Sequence, residues 1–310
     1  MRHWDQASTP DAHYRREDEF PLRMKVLRWI GRQTWIPRGQ VRLLRAVRSP
    51  DDNRHFLFDV DFFGMRYRGD LAHYIDWVVF CFGAYAHPEL AALAKAATAL
   101  KANGATTLSF YDIGANVGHH TLFMAPRVDQ VLAFEPFDTV RKLMEQKLEL
   151  NDISNVKIFP FGLGEIDHDA KYFPGSGSNS GAGSLIGTRE VETDETVVVG
   201  IRNGDEVLER RALPKMDIVK IDVEGYEGAV FRGLSRRIKQ DRPVILTELS
   251  DDSRKSLGSE EDFRRLLYEG AVVAEVTGKY HHKYELKPFD YDHSREALIV
   301  PPELRPLLDS

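Results

Sequence analysis

From residue 106 onward, short apolar runs alternate with stretches whose apolar positions recur every three or four residues. TLSFYDI at 107–113, VLAFE at 131–135, VKIFPF at 156–161, DIVKID at 217–222 and VILTEL at 244–249 predict strands. Between them, residues 118–126 predict a helix stopped by Pro126. Residues 138–150 predict another, with Val140, Leu143, Met144 and Leu148 inward. A helix beginning near Glu224 buries Val230, Phe231 and Leu234, and a capping box from Ser259 to Asp262 opens one containing Phe263, Leu266 and Leu267. Short strands at 271–276 and 296–300 finish the pattern. Near-continuous apolar strands alternating with amphipathic helices predict an α/β fold, a mostly parallel sheet covered by helices on both faces.

The rhythm differs before residue 105. Residues 56–68 alternate around Phe63-Gly64 and predict a hairpin. Residues 71–82 fit either a strand or a buried helix. A helix follows, with Pro88 in its first turn, Leu90, Leu93, Ala97 and Leu100 on one face, and Gly104 beyond its end. Leu22, Val26, Leu27 and Ile30 with Trp29 predict a short helix ended by Gly31. The expected organisation is an arm at 1–50, an N-terminal extension at 51–104 and a main domain at 105–310. A β-rich insert at 165–213, including a Val-rich strand at 196–201 and a turn at Asn203-Gly204, interrupts the third crossover.

The 310 residues are 42% apolar and 29% charged, which excludes collagen, coiled coil and wholesale disorder. Cys81 is the one cysteine, so neither an internal disulfide nor a CxxC zinc site can form. No stretch of 18 uncharged apolar residues exists, and the first 30 residues lack a hydrophobic signal core. A cytoplasmic location is expected. Charge is unevenly spread: residues 1–50 carry +6, leaving −12 on the rest of a chain whose net charge is −6. The basic arm is either a solvated segment or a contact for an anionic surface.

In an open α/β sheet, ligands bind beyond the carboxyl ends of the strands. The first main-domain strand ends in Asp112-Ile-Gly114-Ala-Asn116-Val-Gly118. The glycines permit a tight turn, and the acid suits a cationic amino group rather than a pyrophosphate. The second strand ends in Glu135, 23 residues after Asp112, where a carboxylate can accept both hydroxyls of a ribose. Alternatively, Glu135 is a helix-start acid. No GxxxxGK[ST] phosphate loop is present. The paired acids around a Gly-rich turn point to S-adenosylmethionine rather than NAD or ATP.

DIGANVGHHTLFMA, LAFEPF, NVKIFPFGLGE and IVKIDVEGYEGAVFRGL together resemble the FkbM-type methyltransferases over about residues 56–250. The resemblance implies a Rossmann-like class I methyltransferase fold and O-methylation of hydroxyls on sugars, polyketides or other secondary metabolites. It implies that Asp112, Gly114, Asn116, Gly118 and Glu135 hold S-adenosylmethionine. Pro136, Phe137 and Gly162 of the same motifs are expected beside them. The chain departs from the family where Asn203-Gly204-Asp205-Glu206-Val207 replaces a Leu-Asp-Asp run, and where His119-His120 replace aromatic residues.

On the fourth strand, Ile218, Lys220 and Asp222 share one face. A lysine inside a two-sided sheet is costly unless paired. With the first and fifth strands flanking the fourth, Asp112, Asp222 and Glu248 are expected at neighbouring ends close to Lys220. This is either an ion network or part of an active site. The candidate catalytic residues are Asp222, Glu224, His119 and Glu248. Glu224 and Glu227 are helix-start acids or face the substrate mouth. His120 and the His281-His282 pair are weaker contact candidates. With no HxxxH or HxH spacing, no metal is expected. The Gly/Ser segment Pro174 to Gly187 is expected either as a flap over the acceptor or as a disordered surface loop that only connects. The expected partner is a small-molecule or glycan hydroxyl acceptor, with no nucleic acid. The rivals are a cofactor-binding protein without turnover and an NAD-dependent oxidoreductase.

Overall fold

Two helices open the described chain, α1 (Leu22–Gly31) and α2 (Gln40–Val47). The computed structural model describes residues 13–35, 39–52, 54–174, 183, 196–278 and 284–307. α1 ends at Gly31 as expected, and there its backbone presses on the next helix. A Cβ on Gly31 would lie 2.3 Å from the Cys81 carbonyl oxygen. α2 was not anticipated; among its five apolar residues only Leu44 is buried.

β1 (Leu57–Phe62) and β2 (Met65–Asp70) form the expected hairpin. Phe63 and Gly64 take φ values of 52° and 83°, as a two-residue hairpin turn requires. Residues 74–82 are a helix, α3 (Tyr74–Phe82), not a strand. Seven of its nine residues are buried, so no polar face exposes a helical period. α4 (His87–Ala102) carries Pro88 in its first turn.

The main sheet then builds through β3 (Ser109–Ile113), α5 (His119–Met124), β4 (Gln130–Phe134), α6 (Asp138–Leu150) and β5 (Val156–Phe159). The insert forms its own sheet from β6 (Gly162–Gly164), β7 (His168–Tyr172) and β8 (Val197–Asn203), in the order β6-β8-β7. Asn203-Gly204 is not a turn. The Asn203 side-chain oxygen accepts the Glu206 N–H at 2.9 Å and caps α7 (Gly204–Arg210).

β9 (Ile218–Ile221) is followed by two helices rather than one, α8 (Glu227–Gly233) and α9 (Ser235–Asp241), parted at Leu234. β10 (Val244–Glu248) leads to α10 (Asp251–Leu257) and α11 (Glu260–Leu266), the latter opened by the expected Ser259–Asp262 capping box. β11 (Val272–Thr277), β12 (Glu285–Pro288) and β13 (Glu296–Val300) complete the sheet.

The eight strands lie in the order β12-β11-β13-β10-β9-β3-β4-β5. β10, β9, β3, β4 and β5 are mutually parallel, while β13 runs antiparallel to both β10 and β11. This is the Rossmann-like class I methyltransferase arrangement, with a switch of strand order between β3 and β9. Alternation along each strand sorts the core into two layers. Phe110, Val131, Ile218 and Leu246 pack on one face, and Tyr111, Leu132, Val219 and Ile245 on the other.

The first layer also contains Leu27, Phe58, Phe80 and Leu90. Leu27 of the expected arm and Phe58, Phe80 and Leu90 of the expected extension thus complete the core beneath one face of the sheet. Among the described residues, no single helix is long and apolar enough to cross a membrane.

Candidate active site

β3 ends at Ile113, and the chain turns through Gly114, Asn116 and Gly118 with φ of 81°, 52° and 77°. Gly114 is sterically obligatory, since a Cβ there would lie 2.0 Å from the Asp222 carbonyl oxygen. The Gly114 and Ala115 N–H groups both donate to the Phe134 carbonyl, at 3.0 and 3.1 Å. The turn is thereby tied to the end of β4. Glu135 completes the tie: its Oε2 accepts the Asn116 N–H and its Oε1 the Phe137 N–H, each at 2.8 Å. Burial pushes the Glu135 carboxyl up to about 7, against the opposing pull of these two donors.

This turn forms one wall of a cavity of about 280 Å³ at the carboxyl ends of the parallel strands. Gly114, Asn116, Glu135, Pro136 and Gly162 line it. Lys220, Asp222, Glu224 and Glu248 line it too. Tyr74, Ile75 and Tyr85 of the N-terminal extension also line it, as do Tyr172 and Ile201 of the insert.

Three expected cofactor residues lie behind this surface rather than on it. Asp112 is 0% exposed and its Oδ2 accepts the Thr121 hydroxyl at 2.6 Å. Gly118 makes room for α6: a Cβ there would lie 2.5 Å from Met144 Cγ. Phe137 packs its ring 5.0 Å from that of Tyr172. These residues shape the cavity from behind, held there by their contacts with Thr121, Met144 and Tyr172.

Asp112, Lys220, Glu248 and Glu296 share the sheet face that the N-terminal extension covers. Lys220 is in register with Asp112 on one side and Leu246 on the other, and Glu248 is opposite Glu296. Lys220 Nζ lies 3.0 Å from Asp222 Oδ2. Burial opposes the lysine's charge, but Asp222 and Asp112 outweigh it and raise its pKa. Burial, followed by the charges of Asp222, Glu224 and Glu227, pushes Glu248 up to about 8. Burial, then Glu89, Asp222 and Glu248, push Glu296 well above the carboxylate range.

Glu224 takes a left-handed φ of 52° in the turn after β9, and the neighbouring Glu227 holds that turn. The Glu227 Oε1 accepts the Val223 N–H at 2.9 Å and the Gly225 N–H at 3.3 Å. Glu227 is fully buried, so it is a latch and not a substrate contact. His119 lines the cavity, but its Nε2 accepts the Tyr85 N–H at 3.2 Å. Burial lowers its pKa to about 3, with His87, Lys220 and Lys147 adding to the effect. A neutral ring with Nε2 engaged is a brace between α5 and the extension, not a general base. His120 also lines the cavity, and its buried Nε2 has no hydrogen-bond partner among the described residues.

Sequence reasoning missed Tyr74, Ile75, Tyr85, Tyr172 and Ile201, since nothing in their local pattern distinguishes a cavity wall from core. Of the expected flap, only Pro174 and Gly183 are described; Gly183 lines the cavity beside Tyr172. The rest of 174–187, and His281-His282, lie outside the described residues. Among the described residues, no group of three or more His, Cys, Asp or Glu side chains has a metal-holding arrangement.

The family described as the methyltransferase FkbM domain matches residues 112–271. The hexuronic acid methyltransferase AglP of Haloferax volcanii is 28% identical over 170 residues, covering 54% of this chain and 64% of the relative. Methyltransferase 1 of Beauveria bassiana is 30% identical over 158 residues, covering 45% of this chain and 64% of the relative. The chain thus spans less than two thirds of the length of these curated relatives. A solved FkbM methyltransferase from Methylobacillus flagellatus KT superposes with a TM-score of 0.40 at 16% identity, over 62% of this chain and 43% of that one.

Proposed function

The chain belongs to the FkbM methyltransferase family, and from that membership we propose that it is an S-adenosylmethionine-dependent O-methyltransferase. The proposed acceptor is an uncharged hydroxyl of a sugar, polyketide or other secondary metabolite. The observation that carries the cofactor assignment is Glu135. Its two oxygens are fixed by the Asn116 and Phe137 N–H groups at the cavity wall, with lone pairs left for a ribose diol. Asp222 suits the α-ammonium of a methionine moiety. Gly114, Asn116, Pro136 and Gly162 supply the wall between them.

When bound, S-adenosylmethionine supplies a sulfonium methyl as the electrophile. The protein's part is to align the acceptor oxygen and to take up the hydroxyl proton as the C–O bond forms. We assign the base role to Glu248. Asp222 is held in its pair with Lys220, and His119 is engaged by Tyr85. Glu248 lines the cavity with a pKa pushed up to about 8, close to that of an effective base near neutral pH. Tyr74, Tyr85 and Tyr226 at the wall exclude water and offer flat surfaces to an acceptor ring.

The charge of the acceptor follows from the same wall. The described lining carries the carboxyl groups of Asp222, Glu224 and Glu248 and one cation, Lys220, which is already paired with Asp222; this disfavours a carboxylate-bearing acceptor such as the hexuronic acid of the archaeal relative's name. Calorimetry tests the cofactor: S-adenosylmethionine and S-adenosylhomocysteine bind, and NAD does not. Transfer of a labelled methyl group to neutral and uronic glycans then tests the acceptor. NAD binding in place of S-adenosylhomocysteine sinks the cofactor reading, and preference for uronic acids sinks the charge argument.

A further inference from the structure

Between Leu22 and Arg48 the chain carries eight Lys/Arg residues and no Asp or Glu. The same stretch holds most of the large apolar side chains left exposed on the described surface. α1 shows why. Met24, Leu27 and Gly31 form its buried face, while Leu22, Val26 and Trp29 recur at the same spacing on the opposite side. The helix therefore has two apolar faces, and the protein's own core covers only one. Leu22 is 78% exposed and Trp29 59%. Trp35 follows at 70%, and Leu43 and Val47 stand exposed on α2. Arg23, Lys25 and Arg42, all exposed, flank these positions.

We propose that the α1–α2 face docks the protein onto an anionic lipid bilayer. Leu22, Val26, Trp29, Trp35, Leu43 and Val47 enter the headgroup and upper acyl region, and the surrounding Lys and Arg pair with lipid phosphates. Aliphatic and indole side chains ringed by cations are the composition of an in-plane interfacial helix. A nucleic acid would satisfy the cations but leave the aliphatic stripe without an apolar counterpart. The charge distribution also fixes the orientation. Residues 51–310 carry −12 and are repelled by the surface that attracts the arm. The docked face is mechanically joined to the cavity: α1 packs through Gly31 on α3, and α3 contributes Tyr74 and Ile75 to the cavity wall.

The test is vesicle flotation of the full chain with phosphatidylcholine vesicles, with and without phosphatidylglycerol, at low and high salt. Wild type floats with anionic vesicles only, and salt weakens the association. Arg23→Gln/Lys25→Gln/Arg42→Gln lowers partitioning by about fivefold per charge removed. Trp29→Ala/Trp35→Ala lowers it at every salt concentration, while thermal melting of both variants stays at the wild-type value because all five side chains are exposed. In wild type, lipids with brominated chains quench tryptophan fluorescence, and Trp29→Ala/Trp35→Ala removes that quenching. Failure to float with anionic vesicles overturns the proposal, as does wild-type partitioning by both variants. So does a non-floating dimer that Trp29→Ala/Trp35→Ala dissociates, which would make the face an interface between copies.

Discussion

Lys220 Nζ lies 3.0 Å from Asp222 Oδ2 at the carboxyl end of β9. The lysine is buried, and Asp112, Glu248 and Glu296 share its face of the sheet. It is the cation that makes this acidic end compatible with a folded sheet. Lys220→Met is expected to cost about 3–5 kcal/mol, because removing one partner leaves buried carboxylates uncompensated. The deficit should be larger at pH 8.5 than at pH 5.5, since Glu248, raised to about 8, favours its neutral form at the lower pH. Urea denaturation at the two values measures this; an equal deficit at both rejects the role.

The same lysine supplies positive charge among these acids. Methyl transfer is therefore expected to survive EDTA and dialysis. Loss of turnover on chelation, restored by magnesium or manganese, contradicts this.

Glu135 and Asp112 should separate affinity from stability. Glu135→Gln is expected to weaken S-adenosylhomocysteine binding about ten- to a hundredfold, the worth of hydrogen bonds to a charged acceptor. Affinity in wild type should fall as pH drops below about 7, because Glu135 is then protonated. That pH dependence disappears in Glu135→Gln. Asp112→Asn should instead leave affinity near wild type and lower stability by about 1–3 kcal/mol, since its carboxylate meets Thr121 and not the cavity. Calorimetry and melting on both variants decide the assignment.

Glu248 should govern the ascending limb of the rate profile. As a base it must be ionised, so kcat should rise with pH through about 8. Glu248→Gln is expected to lower kcat by about 10²–10⁴-fold and to remove that limb. Stability moves the other way. The folded pKa of Glu248 lies above its unfolded value, so the folded state holds the extra proton between the two and loses stability as pH rises through about 8. Glu248→Gln should therefore flatten the fall in stability between pH 5 and pH 9. A kcat profile unchanged in Glu248→Gln moves the base elsewhere.

Two glycines should respond differently to the same methyl group. Gly114→Ala combines a φ of 81° with a Cβ 2.0 Å from a backbone oxygen, and a loss of at least about 3 kcal/mol is expected. Gly162→Ala meets the tip of the Ile201 side chain at 2.8 Å, which can rotate away, so a cost under about 1.5 kcal/mol is expected. Thermal melts compare the two directly; equal losses show that the β3 turn is not the constrained element.

The strands of the parallel sheet, α4, α6 and the α11 capping box were legible because each rests on local pattern. Apolar runs, a proline in a first turn and a Ser-to-Asp spacing act within one element. The grouping of Asp112, Lys220, Asp222 and Glu248 was also legible, because alternation along a strand and the position of β9 between β3 and β10 suffice to align them. Contacts distant in sequence were decided by the tertiary structure. Gly118 faces Met144 rather than a ligand, and His119 is engaged by the Tyr85 backbone, because packing of α5 places those partners there. Tyr85, Tyr172 and Ile201 reach the cavity from an extension and an insert that share its walls but not its motif. A strand's period says which face a side chain takes. Whether that face meets solvent, ligand or another helix depends on chain segments tens of residues away, so Asp112 and Glu135 read alike in sequence yet occupy different sides of the cavity wall.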